Sequence, residues 1–276
     1  MATALIASVA EIERALAELR DEGDVPVQRT SVLTHLGWIP PPWEQAAERV
    51  LEALAERHPS RTILLYPEPD AGSDGIAAEV ERICFPLEER NVCAEVIRIG
   101  LRGRSAGAPA SVVLPLLLPD LPVFLRWRGL PGFDSPEWAQ LNGVADRLVV
   151  DSGEWPELRY ADLARSFEQT AVSDLAWRRT LRWRVRIAGQ WPLEGERLRV
   201  VGPEAEVRLL AGWLRSRLRR EVALEHERAE RLEAVSIDGD EVPPPQDPDP
   251  PSSELLSAEL EVFGRDRVYE EAVTRA

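Results

Sequence analysis

Apolar residues Val9, Ile12, Leu16 and Leu19 recur at three-to-four spacing, which places them on one face of a helix over Val9–Glu22 that Gly23 closes. After a β-rich stretch, Val27–Ile39, the Pro40–Pro42 run introduces a second amphipathic helix. Its buried side carries Trp43, Ala46, Ala47, Val50, Leu51 and Leu54, and His58-Pro59 ends it. Thr62–Tyr66 is a short continuous apolar run of the kind found in a strand covered on both faces, so it is the expected central strand. Val92–Ile99, Leu121–Trp127 and Arg147–Asp151 also read as strands, separated by helical stretches near Ile76–Cys84, Ser111–Leu118 and Pro136–Gly143. This alternation predicts an α/β N-terminal domain over 1–155 with a layered, mostly parallel or mixed sheet.

Beyond about residue 155 the periodicity lengthens. Helices are expected over Leu158–Gln169, Asp174–Gln190 and Glu204–Arg219, followed by a hairpin of Val222–His226 and Leu232–Ile237. A Pro-rich loop at 238–253 has too little apolar content to pack, and a last helix over Ser253–Phe263 is closed by Gly264, with a short helical tail. The second domain, 156–276, is therefore read as α+β.

Charge narrows the list of partners. Forty-eight acidic against 33 basic residues give a formal net charge of −15, which repels phosphodiester backbones and anionic lipid, so neither nucleic acid nor membrane is expected as a partner. Every basic residue counted is arginine, because the chain contains no lysine; Schiff-base and phosphate-cradling lysines are thereby excluded. The only cysteines, Cys84 and Cys93, lack CxxC spacing and are expected as buried free thiols in a reducing compartment, with redox pairing as the lesser reading. No secretory apolar region follows the start, and a cytoplasmic protein is expected.

The usual catalytic signatures are missing. There is no G-x-G-x-x-G after a strand, no Walker loop, no G-x-S-x-G and no H-E-x-x-H, and Gly100, Gly103 and Gly107 have the wrong spacing for a dinucleotide fingerprint. Three histidines, His35, His58 and His226, and no distinctive carboxylate pair leave no acid–base constellation, no metal site and no cofactor to propose.

Nine tryptophans are the more informative residues. On the expected helix Asp174–Gln190, Trp177, Leu181, Val185 and Ala188 share one face and Ala176, Trp183 and Ile187 another, with Arg178, Arg182 and Arg186 striping the space between. Tryptophan and arginine dominate interface hot spots, so Asp174, Trp177, Arg178, Arg182 and Trp183 are candidate partner-binding residues. Arg126, Trp127 and Arg128, at the end of a strand, join them, while Ser60 and Arg61 are candidate anion ligands.

Several segments in order carry a resemblance to a known family: HPSR at 58–61, CAEV at 93–96, VVLPLLLPDLPV at 112–123, DRLVVDS at 146–152, SDLAW at 173–177, LLAGWL at 209–214 and the RVYEEAV close of 255–273. Together they resemble the OpcA family of glucose-6-phosphate dehydrogenase assembly proteins over most of the chain. Arg126-Trp127-Arg128-Gly129 departs from the W-W-P-G type sequence expected there, and Arg182 replaces a proline usual before Trp183. The resemblance implies a non-catalytic partner that binds glucose-6-phosphate dehydrogenase, promotes its active oligomer or activates it allosterically, and so supports the oxidative pentose phosphate pathway and NADPH supply. The alternatives are a sugar-phosphate sensor or enzyme, with Ser60, Arg61 and Arg126 as anion ligands, and a scaffold with several enzyme partners.

Overall fold

The structure, a computed structural model, describes residues 6–21, 31–58, 60–87, 90–193 and 195–276. Glu22, Gly23 and the first part of the β-rich stretch lie outside the described residues. The chain forms two compact units, Met1–Val149 and Val150–Ala276.

In the first unit, α1 (Val9–Asp21) buries Ile12 and Leu16, as the spacing demands. β1 (Thr34–Trp38) leads through Pro41–Trp43 into α2 (Glu44–Arg57), whose Ala47, Leu51 and Leu54 are buried and whose end is capped by the His58 N–H donating to the Leu54 carbonyl at 2.8 Å. β2 (Arg61–Glu68), β3 (Gly75–Leu87), β4 (Arg90–Arg102), α3 (Ala110–Val113), β5 (Val123–Trp127), α4 (Pro136–Val144) and β6 (Arg147–Val150) follow. Within this unit the strands run β3-β4-β2-β1-β5-β6, parallel throughout except for the β3–β4 pair. The fold is thus the expected α/β layer with a mixed, mostly parallel sheet. β2 lies inside the sheet, with Ile63, Leu64 and Leu65 at most 2% exposed.

One helix expectation is overturned: residues 76–84 belong to β3. Ile76, Val80 and Ile83 mimic helical spacing, but the segment pairs residue for residue with β4 and supplies the antiparallel edge of the sheet. That pairing sets Cys84 opposite Cys93, their Cα atoms 4.1 Å apart, and the two form a disulfide. Directly opposed antiparallel residues lie about 4.5–5.5 Å apart, within disulfide reach, so the expectation of two free thiols is corrected. The cysteine count then no longer argues for a reducing compartment.

The second unit contains α5 (Tyr160–Arg165), β7 (Ala171–Asp174), α6 (Leu175–Arg179), α7 (Leu181–Ala188), β8 (Arg197–Gly202), α8 (Glu204–Leu218), β9 (Ala223–Arg228), β10 (Ala234–Ile237), β11 (Asp240–Glu241), α9 (Ser252–Leu260) and α10 (Arg267–Thr274). A four-stranded sheet of order β11-β10-β8-β9 confirms the α+β class. The expected hairpin is not formed, because β8 inserts between its two strands, parallel to β9 and antiparallel to β10. Leu198 and Val200 of β8 are fully buried and alternate with the exposed Arg197 and Arg199, a half-buried strand pattern.

α8 packs closely on α10. Gly212 permits it, since a Cβ there would lie 2.1 Å from the Ala272 carbonyl oxygen. Gly212→Ala is expected to cost about 1–3 kcal/mol or more through forced separation of the two helices, read as a lowered urea midpoint at unchanged slope.

Candidate functional site

Open α/β sheets bind ligands outside the carboxyl ends of their strands, at the point where strand order reverses. In the first unit that place is the C-terminal end of β1 and β5, where Trp38 and Trp127 are register partners. Their rings stack at 5.0 Å between centroids, and Trp138 meets Trp127 edge-on at 5.0 Å. Arg128 lies over the Trp43 ring at 5.9 Å, and Gly129, at φ +70°, leaves room for that ring: a Cβ there would meet Trp43 Nε1 at 2.9 Å. The crevice is filled by aromatic packing.

The candidates at this end are therefore core residues. Trp127 is 2% exposed and Arg126 3%, with the Arg126 Nη1 donating to the Trp127 carbonyl at 2.5 Å. Arg128 is buried as well. Ser60 and Arg61, expected as anion ligands, are also buried and have partners within the unit. Arg61 is buried and donates from Nε and Nη2 to Glu95 Oε2 at 2.9 and 2.6 Å, while its Nη1 reaches the Leu116 carbonyl at 2.7 Å. Buried Ser60 lies 3.5 Å from the Thr62 hydroxyl. A guanidinium whose donors already meet a carboxylate and a carbonyl is not offered to an incoming anion.

The second unit holds a more elaborate polar centre. β7 delivers Asp174 to the start of α6, where its Oδ1 accepts the Ala176 N–H at 2.9 Å as an N-cap and the Ser152 N–H at 3.0 Å. Oδ2 accepts the Ser152 hydroxyl at 2.6 Å and the Tyr269 hydroxyl at 3.3 Å. Ser152 Oγ also meets Tyr160 at 3.1 Å, whose hydroxyl donates to the Ala205 carbonyl at 3.2 Å. Burial, and then the nearby Asp151 carboxylate, push the Asp174 pKa up to about 7. Burial likewise raises both tyrosines.

Beside this knot Arg179 bridges two buried acids. Its Nη2 and Nη1 reach Asp151 at 2.5 and 3.1 Å, and its Nε reaches Glu206 at 2.6 Å. Burial lifts the Glu206 pKa, opposed by the Arg179 charge. Trp177, 4% exposed, donates its indole N–H to Asp266 at 2.9 Å, and Asp266 in turn caps α10 through the Tyr269 N–H at 3.0 Å. Three of the segments that carry the family resemblance thus come together here, with Asp151 and Ser152 from one, Asp174 to Trp177 from another and Tyr269 from a third, joined by Glu206 at the start of α8. Their chemistry is that of a structural lock, since every one of these groups is directed at another part of the same unit.

The helix expected over 174–190 is interrupted at Thr180. Its hydroxyl donates to the Trp177 carbonyl at 2.8 Å and accepts from Arg184 Nε at 2.9 Å, which separates α6 from α7 and changes the phase of the faces. Trp177 and Trp183 are both 4% exposed, so they are core rather than contact residues, and Asp174 is 1% exposed. Leu181 and Val185, expected to share the Trp177 face, are instead 40% and 62% exposed. The arginine stripe is broken up: Arg178 meets Glu259 at 3.5 Å, Arg182 reaches the Asp247 carbonyl at 2.9 Å and the Pro248 carbonyl, and Arg186 is exposed, while Arg184, outside the stripe, stacks over Trp177 at 3.4 Å. The exposed face of α7 is the feature that reading the sequence as one helix missed.

Among the described residues no group of three or more His, Cys, Asp or Glu is arranged to hold a metal ion, and no helix is long and apolar enough to cross a membrane.

Comparison with known proteins places these features in a class. Residues 51–166 match the family model described as the glucose-6-phosphate dehydrogenase subunit N-terminal domain, so over that span the chain is similar to that domain. It is 28% identical over 190 residues to the OxPP cycle protein OpcA of Nostoc punctiforme, covering 62% of this chain and 40% of the relative. The protein of the same name from Synechococcus elongatus is 29% identical over 186 residues, covering 60% and 41%. These similarities agree with the resemblance to the OpcA family carried by the sequence motifs. The matched region spans about two fifths of the length of these curated relatives.

Proposed function

We propose that this protein is a non-catalytic partner of glucose-6-phosphate dehydrogenase that favours the active form of that enzyme, either by promoting its oligomer or by raising its affinity for substrate. On this reading the role belongs to the oxidative pentose phosphate pathway and NADPH supply, and a cytoplasmic setting goes with such a partner. The observation that carries this reading is the match of residues 51–166 to the dehydrogenase subunit domain. Two features of the molecule support it: the strand-end crevice is packed with tryptophan, and the conspicuous carboxylate of the second unit is bound up in intramolecular hydrogen bonds.

Physically, such a partner acts by binding the active arrangement of the enzyme more tightly than the inactive one. A coupling of about 1–3 kcal/mol changes substrate affinity roughly 5–150-fold. The test is the initial rate of the dehydrogenase from the same source at low glucose 6-phosphate, titrated with this protein. A saturable rise at a fixed molar ratio is the expected result. A flat titration together with an unchanged dehydrogenase oligomer in sedimentation would overturn the proposal.

Ser60, Arg61 and Arg126, the ligands that the sugar-phosphate sensor reading would use, are buried in the first unit, which favours the partner reading. Thermal unfolding with and without millimolar glucose 6-phosphate separates it from the partner reading, since only a sensor gains stability from the ligand alone.

A further inference from the structure

α7 is anchored by a narrow face. Of its eight residues only Trp183 and Ile187 are buried. Leu181 and Val185, one turn apart, stand 40% and 62% exposed, Ala188 lies on the same side by helical phase, and Trp191 just beyond the helix is 46% exposed. Leu181, Val185 and Trp191 are half of the six large apolar residues that are exposed among the described residues. Clustering of this kind within one short segment is what distinguishes a contact surface from singly scattered apolar residues.

The charge around the ridge is opposite to that of the molecule. The stretch 175–193 carries five arginines and no carboxylate, in a chain whose formal net charge is −15. By helical phase Arg182 and Arg186 flank the Leu181–Val185 ridge on one side and Arg184 on the other. Arg184 is fixed by stacking on Trp177, and Arg182 by the carbonyls of Asp247 and Pro248, so their side chains are held in place before any partner arrives. Arg186 is exposed and has no ion pair or hydrogen bond among the described residues.

We propose that the α7 ridge is the surface with which this protein docks its enzyme partner, and that the complementary surface is an apolar patch bordered by Asp and Glu side chains. The inference rests on the dehydrogenase reading above and assigns that contact to a place on this chain. The apolar centre supplies burial, and the arginine border supplies orientation and association rate. A two-fold pairing of the ridge with itself is disfavoured, because it would bring the arginine borders of both copies together across one interface. Most other acidic surfaces are repelled by the remainder of this molecule, which makes the basic ridge the point of approach for an acidic partner.

The experiment is a binding titration of glucose-6-phosphate dehydrogenase with the full chain and with Val185→Glu, Arg186→Glu and, as a control on another exposed apolar residue, Leu114→Glu. All three side chains point into solvent, and equal melting temperatures check that folding is intact; Val185→Ala and Arg186→Gln replace any variant that melts early. The expected result is a loss of affinity of about tenfold or more for the Val185 and Arg186 charge variants, with Leu114→Glu unchanged and wild-type affinity falling as salt is raised. Wild-type affinity in Val185→Glu and Arg186→Glu overturns the ridge while leaving the dehydrogenase reading intact. Failure of the wild-type chain itself to bind overturns both. Loss of self-association in the variants, with dehydrogenase binding retained, would assign the ridge to a second copy of this chain and also overturn the proposal.

Discussion

Arg179→Met is expected to lower the stability of the second unit by about 3–5 kcal/mol, the usual consequence of leaving a buried carboxylate without its cation. Asp151 and Glu206 are 10% and 4% exposed at the side chain, and Arg179 is the ion-pair partner of both. Methionine preserves much of the arginine stem, so the loss reports the charge rather than the packing. Unfolding by denaturant, followed through tryptophan fluorescence, gives the measurement. Adding Glu206→Gln to the variant is expected to restore part of the loss, because one of the two stranded charges is then removed. Strict additivity of the two substitutions would show that the three groups do not act as one network.

Asp174→Asn is expected to change how stability depends on pH. The Asp174 carboxyl has its pKa raised to about 7 by burial and by the Asp151 charge, against an ordinary aspartate value near 3.8. Between those values the folded state holds a proton that the unfolded chain releases, so this group's contribution is complete below about pH 4 and is lost as pH rises through about 7. Summed across the window the effect is on the order of 4 kcal/mol. Asparagine cannot ionise, and the Ser152 hydroxyl can turn to accept from its amide. The variant should therefore be flatter between pH 4 and 7 and more stable than wild type at pH 8. His35 in the first unit works in the opposite sense: burial first, then Arg126 and Arg128, hold its pKa at about 3, so its contribution is lost as pH falls from about 6.5. The wild-type minus variant difference isolates Asp174 from this opposing slope. A difference independent of pH would mean that Asp174 is ionised throughout.

How much of this was legible depends on what each residue's neighbours contribute. β2 is readable because Ile63, Leu64 and Leu65 are covered on both faces, so the covering layers appear in the sequence as an uninterrupted apolar run. β3 is not, since its identity comes from pairing with β4, and Ile76, Val80 and Ile83 satisfy a helical period equally well. The Cys84–Cys93 disulfide was hidden for the same reason. β8 could have been found: Arg197, Leu198, Arg199 and Val200 alternate as a half-buried strand does.

At the candidate site, residue type pointed to the right segment and the wrong atoms. Trp127, Trp177 and Trp183 are all core, because a tryptophan fills an interior as readily as an interface, and composition does not separate the two. The decisive feature at 174–190 is the break at Thr180, made by hydrogen bonds to Trp177 and Arg184 that no periodicity encodes. Once the helix is divided, Leu181 and Val185 turn outward. The buried lock of Asp151, Ser152, Asp174 and Tyr269 was visible only as three separate motifs, joined by tertiary contact.

A strand at the edge of a sheet invites pairing with another copy, and β9 shows how side-chain charge can guard such an edge. It is an outer strand of the four-stranded sheet, with a backbone edge that pairs with no other strand among the described residues and could in principle template another copy. Its sequence, Ala223-Leu-Glu-His-Glu-Arg228, is dense in charge, with Glu225 and Glu227 held across the strand by Arg197 at 3.4 Å and Arg199 at 2.9 Å of β8. A second β9 laid alongside would have to accommodate another set of charged side chains against these, with no apolar stripe to reward the pairing. The edge is kept out of fibrillar growth by side chains that already serve the sheet from within.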